Sequence, residues 1–218
     1  MALPGTVVSA PSGRIGFDTD RVLDRAHCHE ARRRGFDFCL RYVPRGARPQ
    51  RGDLTVAEAR IILDTGLALM PVQHVARSPW SPSKSLGEEY GRNAAAHVER
   101  LGFPGQVNVW VDLEGIRGGT PHSVVTDYCN AWLTAIKAAG FSPGVYVGAN
   151  AILSGAQLEA LHTEHFWKSG SRVPDIPRRG YQLIQTIREG DEIDGIGIDR
   201  NRTVTDRLGG AVLWLAPA

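Results

Sequence analysis

The stretch Gly102–Gly119, GFPGQVNVWVDLEGIRGG, contains an apolar run from Val107 to Leu113 that carries Asp112 and is followed at once by Glu114. A short apolar run rich in valine and tryptophan reads as a buried strand. Along a strand, residues i and i+2 point to one face. Trp110, Asp112 and Glu114 therefore project together, while Val111 and Leu113 face the opposite layer. Carboxylates inside an apolar layer are costly unless paired or hydrogen-bonded. A parallel barrel offers a place for them, because its chemistry sits at the C-terminal ends of its strands.

The rest of the chain repeats the context of that stretch. ARRRGFDFCLRYV, ILDTGLALMPVQHV, VERLGFPGQVNVWVDLE and IKAAGFSPGVYVG each run from a helical segment through a glycine into a β-rich run. Gly35, Gly66, Gly102 and Gly140 suit the left-handed position that closes a helix. These joints recur at 31, 36 and 38 residues, the spacing of successive α/β units. Thr55 with Glu58 matches a capping box, Thr120-Pro121 places a cap before a proline, and Asp20 is positioned to cap the first helix.

Strands are expected near 15–18, 36–43, 67–74, 107–114, 145–148, 182–187 and 193–199, with a late run AVLWLAP and a further candidate in EHFWKS. Helices weaken after about residue 150, and no Gly-rich phosphate turn follows a strand. The expected fold is α/β, a single modified (β/α) TIM-type barrel with weaker helices in its last third. Residues 1–12 read as an N-terminal extension and 13–218 as the barrel domain.

Composition narrows the function. Of 218 residues, 42% are hydrophobic and 22% charged, which is ordinary for a globular chain, and a net charge of +2 implies no nucleic-acid partner. The three arginines of EARRRGFDF fit a helix C-terminus, where cations favour the dipole. No apolar run approaches the roughly 20 residues of a membrane span, and no signal peptide is visible. Localisation is left open and a monomer is expected. Cys28, Cys39 and Cys129 are too scattered for a disulfide frame or a zinc site and read as free buried thiols. HCHE and LHTEH lack the H-E-x-x-H spacing and read as helix histidines, so neither metal nor cofactor is expected.

Other strand ends collect polar residues: Asp18 on the first, Arg41 and Tyr42 on the second, Gln73 and His74 on the third, then Gln185 and finally Asp199. Such a cluster suits glycoside hydrolysis, in which one carboxylic acid with raised pKa protonates the leaving oxygen and a second carboxylate assists. Glu114 is the candidate acid, with proton affinity raised by Asp18, Asp112 and Asp199. Asp18 and Asp112 have a structural alternative, bonding backbone amides or Arg41, and that reading is preferred for Asp20, Asp191 and Asp194. His74 can belong to cleft or core. Trp80, in the proline-flanked SPWSPSKS, can stack on a sugar or pin its loop; Trp167 and Trp214 read as packing.

Taken in order, GFD on the first strand, DLE after the fourth apolar strand, GVYVG, and the closing YQLIQT and IDGIGIDRN resemble the glycoside hydrolase family 25 lysozymes. With RYV, LTVAEA, GLALMPV and the aromatic pattern of DYCNAW, the chain resembles more closely their relatives, the glycoside-hydrolase-like domain of unknown function 1906. The resemblance implies a modified barrel acting on β-1,4-linked amino-sugar glycans, bacterial cell-wall polysaccharide above all. It implies Glu114 as acid, Asp112 as the carboxylate that assists or orients the acetamido group, Asp18 and Asp199 as flanking acids, and Tyr146 and Gln185 as sugar-lining residues. The competing class is a non-catalytic carbohydrate-binding domain on the same fold, holding glycan through Trp80, Trp110 and Tyr146.

Overall fold

The computed structural model describes residues 2–218. Its elements in chain order are β1 (Thr6–Ser9), β2 (Ile15–Thr19), α1 (Arg25–Arg33), β3 (Phe38–Val43), α2 (Val56–Asp64), β4 (Ala68–Gln73), α3 (Lys84–Leu101), β5 (Asn108–Leu113) and α4 (His122–Ala138). There follow β6 (Ser142–Val147), α5 (Gly155–Glu159), β7 (His165–Lys168), β8 (Leu183–Thr186), β9 (Glu192–Ile193), β10 (Ile196–Gly197), β11 (Asp199–Thr203) and β12 (Leu213–Ala216). Eight strands close a barrel in the order β2-β3-β4-β5-β6-β7-β8-β11, with β11 returning to β2. Pairing is parallel from β2 through β8, and β11 is antiparallel to both neighbours. This is a TIM-type barrel with one reversed strand.

Strand alternation sorts the side chains into two layers. Phe17, Cys39, Leu69, Val109, Val111, Leu113 and Val145 pack outward against the helices. Phe38, Leu40, Met70, Val72, Trp110, Trp167 and Leu183 fill the barrel itself. Gly144 leaves room for the Trp110 ring, since a Cβ there would lie 2.4 Å from its Cε3. Gly35, Gly66, Gly102 and Gly140 all have φ between 84° and 88°, as the helix-to-strand joints require.

The helix starts differ from the sequence reading in three places. Asp24, not Asp20, caps α1, with His27 completing the box. Thr55 caps α2 through Glu58 N, but Glu58 does not reciprocate because its carboxylate is engaged by Leu23 N and Arg41. Pro121 itself occupies the cap position of α4, and the Thr120 hydroxyl turns back to Arg117 O at 2.7 Å. After residue 150 only the five-residue α5 remains. No helix among the described residues is long and apolar enough to cross a membrane.

The last third also departs from expectation in strand direction. The expected strand over 193–199 is a two-residue ribbon, β9 with β10, and Asp199 begins β11 instead of ending a strand. Because β11 runs antiparallel, its first residue lies at the mouth where the parallel strands end, and Asp199 pairs with Asp18. His165 is on β7, not a helix, and is half-buried at the start of that strand. At that end β12 pairs with β1 and meets β4 at Leu69, while β4 meets β5 only at Val72 and Gln73. The thiols of Cys28, Cys39 and Cys129 are free and buried.

Candidate active site at the barrel mouth

Asp18, Tyr42, Asp112, Tyr146, Gln185 and Asp199 converge at the C-terminal mouth because each is the last inward position of its parallel strand or, for Asp199, the first of the reversed β11, and Asn201 lies one inward position deeper on β11. Asp18 lies at the centre. It accepts from Asn201 Nδ2 at 2.7 Å, Gln185 Nε2 at 2.9 Å and Tyr42 OH at 3.3 Å. Burial outweighs these three neutral donors and pushes its pKa up to about 7. Gln185 also donates to Asp199 at 3.4 Å and accepts from Tyr146 OH at 2.9 Å, so one amide fixes three neighbours.

Asp112 is buried beneath the mouth, and its Oδ1 has no hydrogen-bond partner among the described residues. Burial first, then Glu114 and Asp18, hold its proton well above the usual carboxylate range. Glu114 is half-buried; burial and then Asp199 raise its pKa. Asp199 is raised by burial and by Asp191. Asp112 is the deeper of the two carboxyls, and Glu114 is the more exposed, lining the open cavity.

Two neighbours fix Glu114. Gly148, which follows β6, faces it so closely that a Cβ would lie 2.4 Å from Glu114 Cβ and 2.5 Å from Oε2. Trp80 Nε1 donates to Glu114 O at 2.7 Å, while its ring packs edge-on against Tyr128. Trp80 is 7% exposed, so it pins this loop and presents no sugar platform. This decides its two sequence readings in favour of the loop.

Arg41 and Trp110 also require correction. Adjacent strand residues cannot both face inward: Tyr42 does, and Arg41 points to the outer layer, fully buried, bonded to Glu58 at 2.6 Å, Thr19 O and Gly52 O. Trp110 does face inward, but one layer below Asp112, where Tyr146 and Trp167 cover it completely. Tyr146 is nearly buried, bridging to Gln185. His74 belongs to the cleft. Its ring stacks on Tyr42 at 4.7 Å, its Nε2 meets Asp53 at 3.1 Å, and burial lowers its pKa against the pull of Asp53.

The resulting cavity is about 420 Å³ and is lined by Asp18, Tyr42, His74, Asp112, Glu114 and Asp199, among others. Sequence reasoning missed Asn201 and Asp53. Asn201 lay beyond the end of the expected 193–199 strand, and only the reversed β11, which begins at Asp199, brings it onto the same inward face. Asp53 lies in a loop whose path no local pattern fixes.

A barrel whose mouth gathers a half-buried glutamate and three aspartates is the architecture of a glycoside-hydrolase-like domain. A family model described as "Rv2525c-like, glycoside hydrolase-like domain" matches residues 29–203, and the chain belongs to that family. No curated protein matches it. Among solved structures, an uncharacterised protein of B. stearothermophilus superposes with a TM-score of 0.64 at 20% identity, over 88% of this chain and 96% of that one. The bacterial lysozyme of Streptomyces coelicolor gives 0.59 at 13%, over 93% and 94%. A family 25 glycosyl hydrolase of Bacillus anthracis gives 0.54 at 13%, over 88% and 89%. At these identities the likeness is one of fold.

Proposed function

We propose that this domain hydrolyses β-1,4-linked amino-sugar glycans of the bacterial cell wall, with Glu114 as general acid and Asp112 as its partner. The observation that carries the reading is the vertical pairing of a half-buried Glu114 above a buried Asp112 whose Oδ1 lacks a partner, at the floor of an open cavity. A buried oxygen left unpaired costs about 1–3 kcal/mol, and a substrate amide donor would relieve that cost. The lysozyme and glycosyl hydrolase among the solved structures of this fold support the substrate class.

In the proposed reaction Glu114 delivers its proton to the glycosidic oxygen as the bond from that oxygen to the anomeric carbon breaks. Positive charge develops on the sugar ring. Asp199 supplies a negative field that favours this charge, Asp18 adds to it only as pH rises through its pKa of about 7, and Asp112 orients the acetamido group. Tyr42, stacked on His74, forms the aromatic wall available to a sugar face, and Gln185 holds Asp18 and Asp199 in place. A water molecule then bonds to the anomeric carbon and gives its proton to the Glu114 carboxylate, which restores the acid.

The test is release of new reducing ends from purified peptidoglycan and from chitooligosaccharides, over about pH 4 to 8, the range where a raised carboxyl titrates. Glu114→Gln is nearly isosteric but cannot donate the proton, so release is expected to vanish with folding intact. Equal release by both proteins refutes the assignment of Glu114. Binding without release by the unaltered protein refutes hydrolysis and leaves a carbohydrate-binding domain.

A further inference from the structure

A second, larger recess of about 830 Å³ adjoins the mouth, sharing Asp20, His74 and Val75 with it. Its walls are the β2–α1, β3–α2 and β4–α3 loops, all at the C-terminal face of the barrel, with Glu89 and Tyr90 of α3. The charges of the two cavities are opposite. The mouth is lined by carboxylates with no arginine or lysine among its lining residues. The recess holds Arg21, Arg45, Arg51 and Arg77.

Its own carboxylates are largely spent on other partners. Asp20 pairs with Arg21 at 3.7 Å, and Asp53 is taken by His74 and by Gln50 N. That leaves Arg45, Arg51 and Arg77, none in an ion pair among the described residues, facing the carboxylates of Glu89 and Asp53. Arg45 is pre-positioned: it donates to Val75 O and its guanidinium lies 5.4 Å from the Tyr90 ring centroid. Arg51 and Arg77 are exposed at the rim. Guanidinium groups match carboxylates through paired N–H donors.

We propose that this recess is a subsite for a carboxylate-bearing substituent of the glycan. The proposal rests on the reading that the mouth receives a glycan. A polymer that alternates neutral and carboxylated sugars would meet repulsion from Asp199 if it placed an anion in the mouth, and attraction if it placed that anion beside the arginines. The two fields together set the register, so only one of the two alternating linkages is presented to Glu114. Electrostatic complementarity of this kind selects among ligands and orientations more than it adds raw affinity.

The experiment measures affinity for three oligosaccharides in Glu114→Gln protein, where turnover does not interfere. They are chitotetraose, the tetrasaccharide of alternating N-acetylglucosamine and N-acetylmuramic acid, and the same tetrasaccharide amidated to a short acidic peptide. The parent is expected to prefer a carboxylated ligand about tenfold at low salt, less as ionic strength rises. Adding Arg51→Gln and Arg77→Gln is expected to bring the ratio towards one. The ratio is taken on one preparation, so partial unfolding lowers all affinities alike and cannot imitate the result. Preference for either carboxylated ligand supports the proposal, and the tighter one names the carrier. Absence of preference in the parent, preference retained in the arginine variant, or binding of none overturns it. Reducing-end release by the unaltered protein is a separate measurement, so the subsite can fail while hydrolysis stands.

Discussion

Gly148→Ala tests the placement of Glu114 without touching any ionisable group. The backbone at Gly148 does not have the positive φ found at the helix-closing glycines, so alanine meets no intrinsic strain there. The whole effect is contact: the new methyl would lie 2.4 Å from Glu114 Cβ, 2.5 Å from its Oε2 and 3.0 Å from Tyr146 Cε1. A carboxylate oxygen can swing aside, but Glu114 Cβ is carried by the main chain, which Trp80 Nε1 and the bond from Gly115 N to Ala149 O hold in place. Overpacking of this kind costs about 1–3 kcal/mol, and at roughly 2–4 °C per kcal/mol for a domain of this size the melting point should fall by about 2–12 °C. Activity should suffer more than stability. A displacement near 1 Å of an acid from the oxygen it protonates can cost on the order of 100-fold in kcat. The assay pairs thermal unfolding with kcat/KM on peptidoglycan, and Gly118→Ala, where a Cβ meets nothing within 4 Å, is the control. Turnover and melting point both equal to the control would show that Glu114 does not lie against Gly148, and the proposed acid would lose its geometric support.

Three further perturbations separate site from scaffold. Asp18, lifted from 3.8 to about 7, favours folding fully below its unfolded pKa and loses that contribution as pH rises through about 7. The loss is on the order of 4 kcal/mol, so urea midpoints should decline from pH 4 to 8 and Asp18→Asn should flatten the decline; parallel profiles would refute the shift. Glu58→Gln leaves the Arg41 guanidinium buried without its counter-charge and should destabilise by about 3 kcal/mol or more, while Arg41→Met with Glu58→Leu recovers much of the loss; denaturant titration decides. Trp80→Phe removes the bond to Glu114 O at a cost of about 1 kcal/mol, and should lower kcat in the peptidoglycan assay by more than that loss of stability would suggest.

What was readable in the sequence was what local physics dictates. Four glycines at the helix exits declared their left-handed backbone, and the alternation from Val107 to Glu114 placed Trp110 and Asp112 inward and Val111 and Leu113 outward. The same alternation should have excluded Arg41 from the cleft once Tyr42 was placed in it. Depth along the barrel was not readable. Trp110 and Asp112 share a face, yet one is sealed under Trp167 and the other floors a cavity, and only the closed barrel distinguishes those layers.

The reversed strand explains why Asp199 reached the expected mouth for a different reason than its sequence context suggested. At the end of a parallel strand over 193–199 it would point to the mouth; at the start of an antiparallel one it does the same, because reversing the chain exchanges the two ends. The exchange has a consequence for Asn201. On a parallel strand ending at Asp199 that residue would lie in a loop beyond the rim, whereas on β11 it lies two residues deeper into the barrel, where it donates to Asp18 at 2.7 Å and accepts from Trp167 Nε1 at 2.8 Å. The strand direction that sequence periodicity could not supply therefore determines which side chain carries the shortest bond to the central aspartate, and through it how firmly Asp18 holds its proton beside Glu114.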